Sequence, residues 1–317
     1  MKTCLPALFA FALLCGGAAH AENLQTDAPF LWEVQGAKTK HYLLGSVHML
    51  PDSAYPLPAA LESVYKITHS VVFESDIAEL AAPELQGRML GAAKDDRPGG
   101  LRAQIGKPLY RQLQKRAQVL GMPVPVCEGF RAWFCALTLE LFVLQQAGFN
   151  AERGVDQYFY TRALEDNRPV LALESAQQQL ELFIGMPDSL STALLAATLE
   201  TSTATSQSPE ELHRMWRQGD LLALEKLVRQ LHKDHPALHS RLLAGRNRAW
   251  MPTLIRHFSG AESMLVIVGA AHFAGADGLL ALLKAQSLNL RPVSGPLPDT
   301  RPLDTTANAI RLGRRRG

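Results

Sequence analysis

Two kinds of hydrophobic pattern alternate along the chain. Short apolar runs of strand length occur at "PFLWEVQ" and "KHYLLGSVH", and the polar turn "GAKTK" between them predicts a β-hairpin. "SVVFESD", "RPVLALE", "SMLVIVG" and "LNLRPV" are further strand-length runs. Between them the period becomes helical. In "PAALESVYKITHS", Leu61, Val64, Tyr65 and Thr68 recur at helical spacing. "SAQQQLELFIGM" predicts a helix with Ser175 as its N-cap, and Ser208 with Glu211 gives a capping-box-like start after the polar joint "TSTATSQSPEEL". The stretch from Ile77 to Phe149 is helix-rich and punctuated by Gly and Pro, further helices run to Phe258, and "ADGLLALLKAQ" is helical. Strands thus alternate with helices at both ends while the middle is helical. This predicts an α/β fold: a mixed, largely parallel sheet with large helical insertions. No Pro/Gly linker divides the chain, so residues 22–294 are expected to form one domain. The tail 295–317, rich in Pro, Thr and Arg, is expected to be disordered.

Composition narrows the function. A 317-residue chain with 47% hydrophobic residues can bury a large core, and a net charge of +2 gives no global field toward nucleic acid or anionic membrane. No basic stripe with interleaved aromatics occurs, so nucleic acid is not an expected partner. Residues 1–21 read as a signal peptide: Lys2, an apolar run from Leu5 to Leu14, and Ala19-His20-Ala21 as an A-x-A cleavage site. The run is too short to span a bilayer comfortably. The expectation is an exported protein, periplasmic or secreted, without stable membrane insertion after cleavage. Cys4 and Cys15 leave with this segment. Cys127 and Cys135 remain, and both a disulfide and two small buried thiols fit their setting.

The chemistry gathers at strand ends. "YLLGSVHMLP" and "VIVGAAHFAG" share one arrangement: an apolar strand, Gly-x-x-His, then an apolar residue. This places His48 and His272 just beyond two strands. Glu74 ends "SVVFE" and Glu174 ends "PVLALE". Ligands of open α/β sheets collect beyond the carboxyl ends of strands, so four adjacent strands would bring these residues to one edge. Gly45 and Gly269 are expected to allow a sharp turn or a close backbone approach. Two His and one carboxylate are a ligand set of hydrolytic zinc sites and of non-haem iron sites. A second carboxylate can serve as general base. Glu74 and Glu174 could equally cap the helices that follow them. A rival cluster is His232, His235 and His239; the first two can share a helix face, but Pro236 interrupts the helix before the third. Asp156 reads as a helix cap, and Trp133, Trp216 and Trp250 read as core.

The pair "LLGSVHMLP" and "VIVGAAHFAGADGLLALL", with "ERGVDQYFYTRALEDNRPVLALES" and "LLAGRNRAWMPTLIRHF", resembles the TraB/GumN family, which includes Tiki-type metalloproteases and pheromone-shutdown proteins. The resemblance spans roughly Phe30 to Val293. It implies a divalent cation (Zn, Mn or Co) held by His48, Glu74 and His272, with Glu174, Arg246 and Asn247 as catalytic-site residues. It also implies a peptide or protein substrate. Where members often carry Glu before Arg-Asn, this chain has Gly245. The Arg246 fork can hold a carboxylate or an oxyanion; on pattern alone it reads as a helix-surface arginine. The resulting expectation is a metal-dependent hydrolase of peptidase type. The alternatives are a non-catalytic peptide-sequestering protein using the same cleft, and a metal-dependent esterase. No G-x-S-x-G elbow points to a serine hydrolase.

Overall fold

The computed structural model describes residues 29–201 and 208–297. The expected signal segment 1–21 with Cys4 and Cys15, part of the polar joint, and the stretch from 298 onward lie outside the described residues. In chain order the elements are β1 (Leu31–Gln35), β2 (His41–Ser46), β3 (Leu50–Pro51), α1 (Ala59–Ile67), β4 (Ser70–Phe73), α2 (Ile77–Leu80), α3 (Pro83–Ala93), α4 (Gly100–Leu120), α5 (Ala132–Gln146), β5 (Phe149–Asn150), α6 (Val155–Glu165) and β6 (Val170–Ala172). There follow α7 (Ala176–Ile184), α8 (Asp188–Thr201), α9 (Pro209–Gln218), α10 (Leu221–Asp234), α11 (Pro236–His239), α12 (Gly245–Phe258), β7 (Met264–Gly269), α13 (Leu279–Ala285) and β8 (Asn289–Pro292).

The main sheet has six strands in the order β6-β4-β7-β2-β1-β8. β6, β4, β7 and β2 are parallel to one another, while β1 pairs antiparallel with both β2 and β8. The parallel strands are the apolar runs. Every residue of β2 and β4 is buried, and β7 is buried up to its last residue. Such continuous apolar strands need cover on both faces, which the helices supply. β3 and β5 form a separate antiparallel pair of two residues each. The fold is therefore α/β and mixed, with three parallel and two antiparallel pairings in the main sheet.

Register places the site. Phe73 of β4 sits opposite Ile267 of β7 and Ala172 of β6, and Ser46 of β2 sits opposite Gly269. The four parallel strands therefore end together. Gly45 makes no turn; it lies inside β2, where an added Cβ would come within 2.8 Å of Phe30 Cβ, so the position needs room rather than flexibility.

Local chemistry fixes the helices around this edge. Ser175 and Gln178 form a complete capping box on α7, and the Ser208 side chain accepts from Glu211 N–H on α9. Asp76, not Glu74, caps α2 by accepting from Ala78 and Glu79 N–H. Both glutamates at the strand ends are thus left for other work. Cys127 and Cys135, both fully buried, form a disulfide that ties the loop before α5 to that helix. One large apolar cluster runs from Phe30 to Val293 and includes strand and helix residues alike.

Candidate functional site

Glu74 follows β4 directly and is buried. Its Oε1 accepts Gly269 N–H at 2.7 Å, and its Oε2 accepts Arg246 Nη2 at 2.5 Å and Gln179 Nε2 at 3.2 Å. Glu174 lies one strand over, where its own N–H donates to Glu74 O at 2.9 Å. Its Oε1 accepts Arg246 Nη2 at 2.5 Å and Nε at 3.1 Å, and its Oε2 accepts Trp250 Nε1 at 3.0 Å. Arg246 is buried, so the surface reading of this residue is corrected. A guanidinium so deep in the protein needs counter-charge, and the two glutamates supply it. It also lies over the Trp250 ring, 4.7 Å from the centroid.

One helix delivers the next two groups. α12 opens after a π-helical turn at Ser240–Ala244, and its neighbours Arg246 and Asn247 are both buried. π-turns are a recurrent device at functional sites. A Cβ on Gly245 would stand 2.8 Å from Ser240 O, so this turn favours the glycine. Asn247 Nδ2 donates to His272 O at 3.1 Å and to Asp277 O at 2.8 Å. Its Oδ1 is therefore the acceptor that faces His272 Nδ1 at 2.6 Å. That fixes the tautomer: Nδ1 carries the hydrogen and Nε2 the lone pair, which faces Arg246 Nη1 at 3.1 Å.

His48 stands two residues beyond β2, with Nδ1 3.1 Å from Asp156 Oδ1. Asp156 is thus not a cap: Gly154 occupies the N-cap of α6, and the Asp156 carboxylate faces His48 across the chain. No local pattern in "GVDQYF" signals this, because the partner is far away in sequence.

Gly269 is where the groups meet. A Cβ there would lie 3.3 Å from Glu74 Oε1, 3.6 Å from His48 Nε2 and 3.7 Å from His272 Cδ2. Its backbone is extended, φ −50° and ψ 135°, so the glycine serves as space and not as a sharp turn. The two imidazoles have opposite electrostatics. Burial alone would lower His48, but the Asp156 carboxylate, helped by Glu74, outweighs it and raises the group to about 9. Burial pushes His272 down to about 3, with Arg246 assisting and Glu74 opposing. Burial would raise Glu74, yet Arg246, His272 and His48 together hold it well below the usual carboxylate range. Burial raises Glu174 above its ordinary value despite Arg246.

Of the six site residues expected from the sequence, His48, Glu74, Arg246 and His272 line one cavity, and Glu174 and Asn247 brace Arg246 and His272. The cavity, of about 150 Å³, has His48, Glu74, Arg246 and His272 in its lining. Leu137, Leu144, Leu182, Leu212 and Trp216 line the apolar remainder. Pattern reasoning missed Asp156, Gln179 and the polar use of Trp250, which is core as expected but also donates to Glu174.

A second group of metal-ligating type lies nearby. Among the described residues, His232, His239 and Asp277 bring one ligand atom each to within 4.8 Å of one another, a cluster able in principle to hold a divalent cation. His235 does not join it, contrary to the spacing argument: it sits at the C-cap of α10, and Pro236 starts α11 so that His239 folds back on His232.

The TraB/PrgY/gumN family model matches residues 30–292. The uncharacterized protein YbaP of Escherichia coli (strain K12) is 26% identical over 247 residues, covering 77% of this chain and 87% of its own length. YbaP of Shigella flexneri matches to the same extent. No solved structure matches the chain. No single helix among the described residues is long and apolar enough to cross a membrane.

Proposed function

Starting from the fact that the chain belongs to the TraB/PrgY/gumN family, we propose that it is an exported metal-dependent hydrolase of peptide bonds, centred on its two Gly-x-x-His segments. His48, Glu74 and His272 are the ligands in this reading. One observation carries it. Each imidazole turns Nδ1 toward a side-chain oxygen, His48 toward Asp156 Oδ1 in an ion pair at 3.1 Å and His272 toward Asn247 Oδ1 at 2.6 Å, and such partners are how proteins orient histidine ligands. His48 Nε2 and Glu74 Oε1 then border the space that Gly269 leaves open, with the His272 ring beside them. The donor set, two imidazoles and a carboxylate, suits Zn²⁺ and related ions. When bound, such an ion supplies Lewis acidity.

The remaining residues have roles set by their contacts. Glu174 engages Nε and Nη2 of Arg246, which turns Nη1 toward His272. From there the guanidinium is placed to stabilise an oxyanion. Asn247 holds His272 in one tautomer. The apolar cavity favours a peptide with a large aliphatic or aromatic side chain next to the cleaved bond.

A metal-free peptide binder is the second reading. It is favoured by Arg246 Nη1 lying 3.1 Å from the His272 Nε2 lone pair, a contact that satisfies this nitrogen without an ion. A peptide-library digest read by mass spectrometry separates the two. Hydrolysis is expected beside large apolar residues, abolished by chelation and restored by Zn²⁺, Mn²⁺ or Co²⁺. Arg246→Lys keeps the charge but loses the fork, and it should lower kcat by roughly 10²-fold or more with metal content unchanged. Peptide binding without cleavage, indifferent to chelator, would establish the binder instead.

A further inference from the structure

The geometry points to a second divalent-cation site, of zinc type, built from His232, His239 and Asp277 on the outer side of α12. His232 sits in the last turn of α10, His239 ends α11, and Asp277 lies in the loop before α13. The two Nδ1 atoms face each other at 3.0 Å with the rings nearly perpendicular, at 82°. Tetrahedral coordination with Zn–N bonds of 2.0–2.1 Å sets ligand–ligand edges of about 3.3 Å. An opening of a few tenths of an ångström would therefore seat an ion between them. Without an ion the contact is an N–H···N hydrogen bond in which one Nδ1 donates and the other accepts; the same two atoms, both deprotonated, would turn their lone pairs to an ion.

The carboxylate completes the set. Asp277 places a ligand atom within 4.8 Å of both imidazole nitrogens, and Arg248 Nη2 donates to its Oδ1 at 3.0 Å, which orients it. His239 is buried and so held in place, whereas His232 is exposed and leaves a solvent-facing side for a fourth ligand such as water. Two imidazoles and one carboxylate suit Zn²⁺ and not Mg²⁺ or Ca²⁺, which take oxygen-rich sets. An ion here would tie the α10–α11 corner to the loop carrying Asp277. The backbone carbonyl of that same residue accepts Asn247 Nδ2 at 2.8 Å, so the second site adjoins the bracing of His272.

The test counts metal. Protein without a polyhistidine tag is stripped with chelator, reloaded with Zn²⁺ or Co²⁺, freed of excess by gel filtration and analysed for metal equivalents. The wild type is expected to hold two. His232→Ala, at an exposed position and expected to keep the wild-type circular dichroism, should lose one. Asp277→Ala should lose the same one, since the Asn247 contact uses the backbone carbonyl. In the Co²⁺ form the tetrahedral visible absorption at this site should vanish in both variants. Equal metal content in wild type, His232→Ala and Asp277→Ala would overturn the proposal. His48→Ala keeps the two sites distinct. If it loses an equivalent and His232→Ala does not, the central ion stands and this one falls. The reverse pattern keeps this site and removes the central one.

Discussion

Asp156 shows what a single side chain can hide. A carboxylate in the first turn of a helix is the ordinary partner of the helix dipole, and nothing local marks it otherwise. In the folded chain it faces His48 Nδ1 at 3.1 Å and keeps that imidazole's other nitrogen turned toward Gly269. Asp156→Asn should leave the fold intact and weaken metal binding at the central site about 10–100-fold, the usual effect of losing such an orienting partner. Titration calorimetry would check it, and unchanged affinity would leave Asp156 without a part in the central site. His48, Glu74, Glu174 and His272 were legible because each lies at or within three residues of the end of an apolar run, where a parallel sheet exposes its ends. Arg246 and Asn247 were legible only through resemblance. Their burial depends on how α12 docks against strands distant in sequence, and helical periodicity does not encode that.

At the scale of elements, the strands carried the clearest signal. β2, β4 and β7 are continuous apolar runs, and the hairpin of β1 and β2 is marked by its polar turn. The pair β3 and β5 escaped because two residues per strand leave no periodicity to read. α4 shows another limit: Gly106 breaks it with φ 76° and Pro108 follows, so pattern shows a punctuated helical stretch but not its continuation. The disulfide was open from sequence because Cys135 fits a helix face whether bridged or not. Cys127 and Cys135 lie 8 residues apart, and closing a loop of that length stabilises the fold by about 2.5 kcal/mol in the chain-entropy picture. Denaturant unfolding with and without reductant should differ by about 2–3 kcal/mol. Coincident curves would mean that the bridge does not constrain the unfolded chain.

The whole molecule combines a sheet edge that gathers charge with a helical layer that encloses an apolar cavity. In the proposed reading Arg246 and a divalent ion would together set three positive charges against the three carboxylates of Glu74, Glu174 and Asp156, with the guanidinium and the ion facing an anionic transition state. Export is an expectation drawn from residues 1–21, which lie outside the described residues, and it has its own check. Protein recovered from the periplasm should have an intact mass that begins at Glu22; a species retaining Met1 in that fraction would contradict cleavage after Ala21. The central claim is that His48 and His272, brought from distant parts of the chain, share one ion with Glu74. Anomalous scattering from crystals of the metal-loaded protein, collected above and below the metal edge, tests it most directly. The expected result is a peak beside Gly269 within bonding distance of His48 Nε2, His272 Nε2 and Glu74. A map from fully loaded crystals with no peak there, whatever it shows at His232, His239 and Asp277, would contradict it.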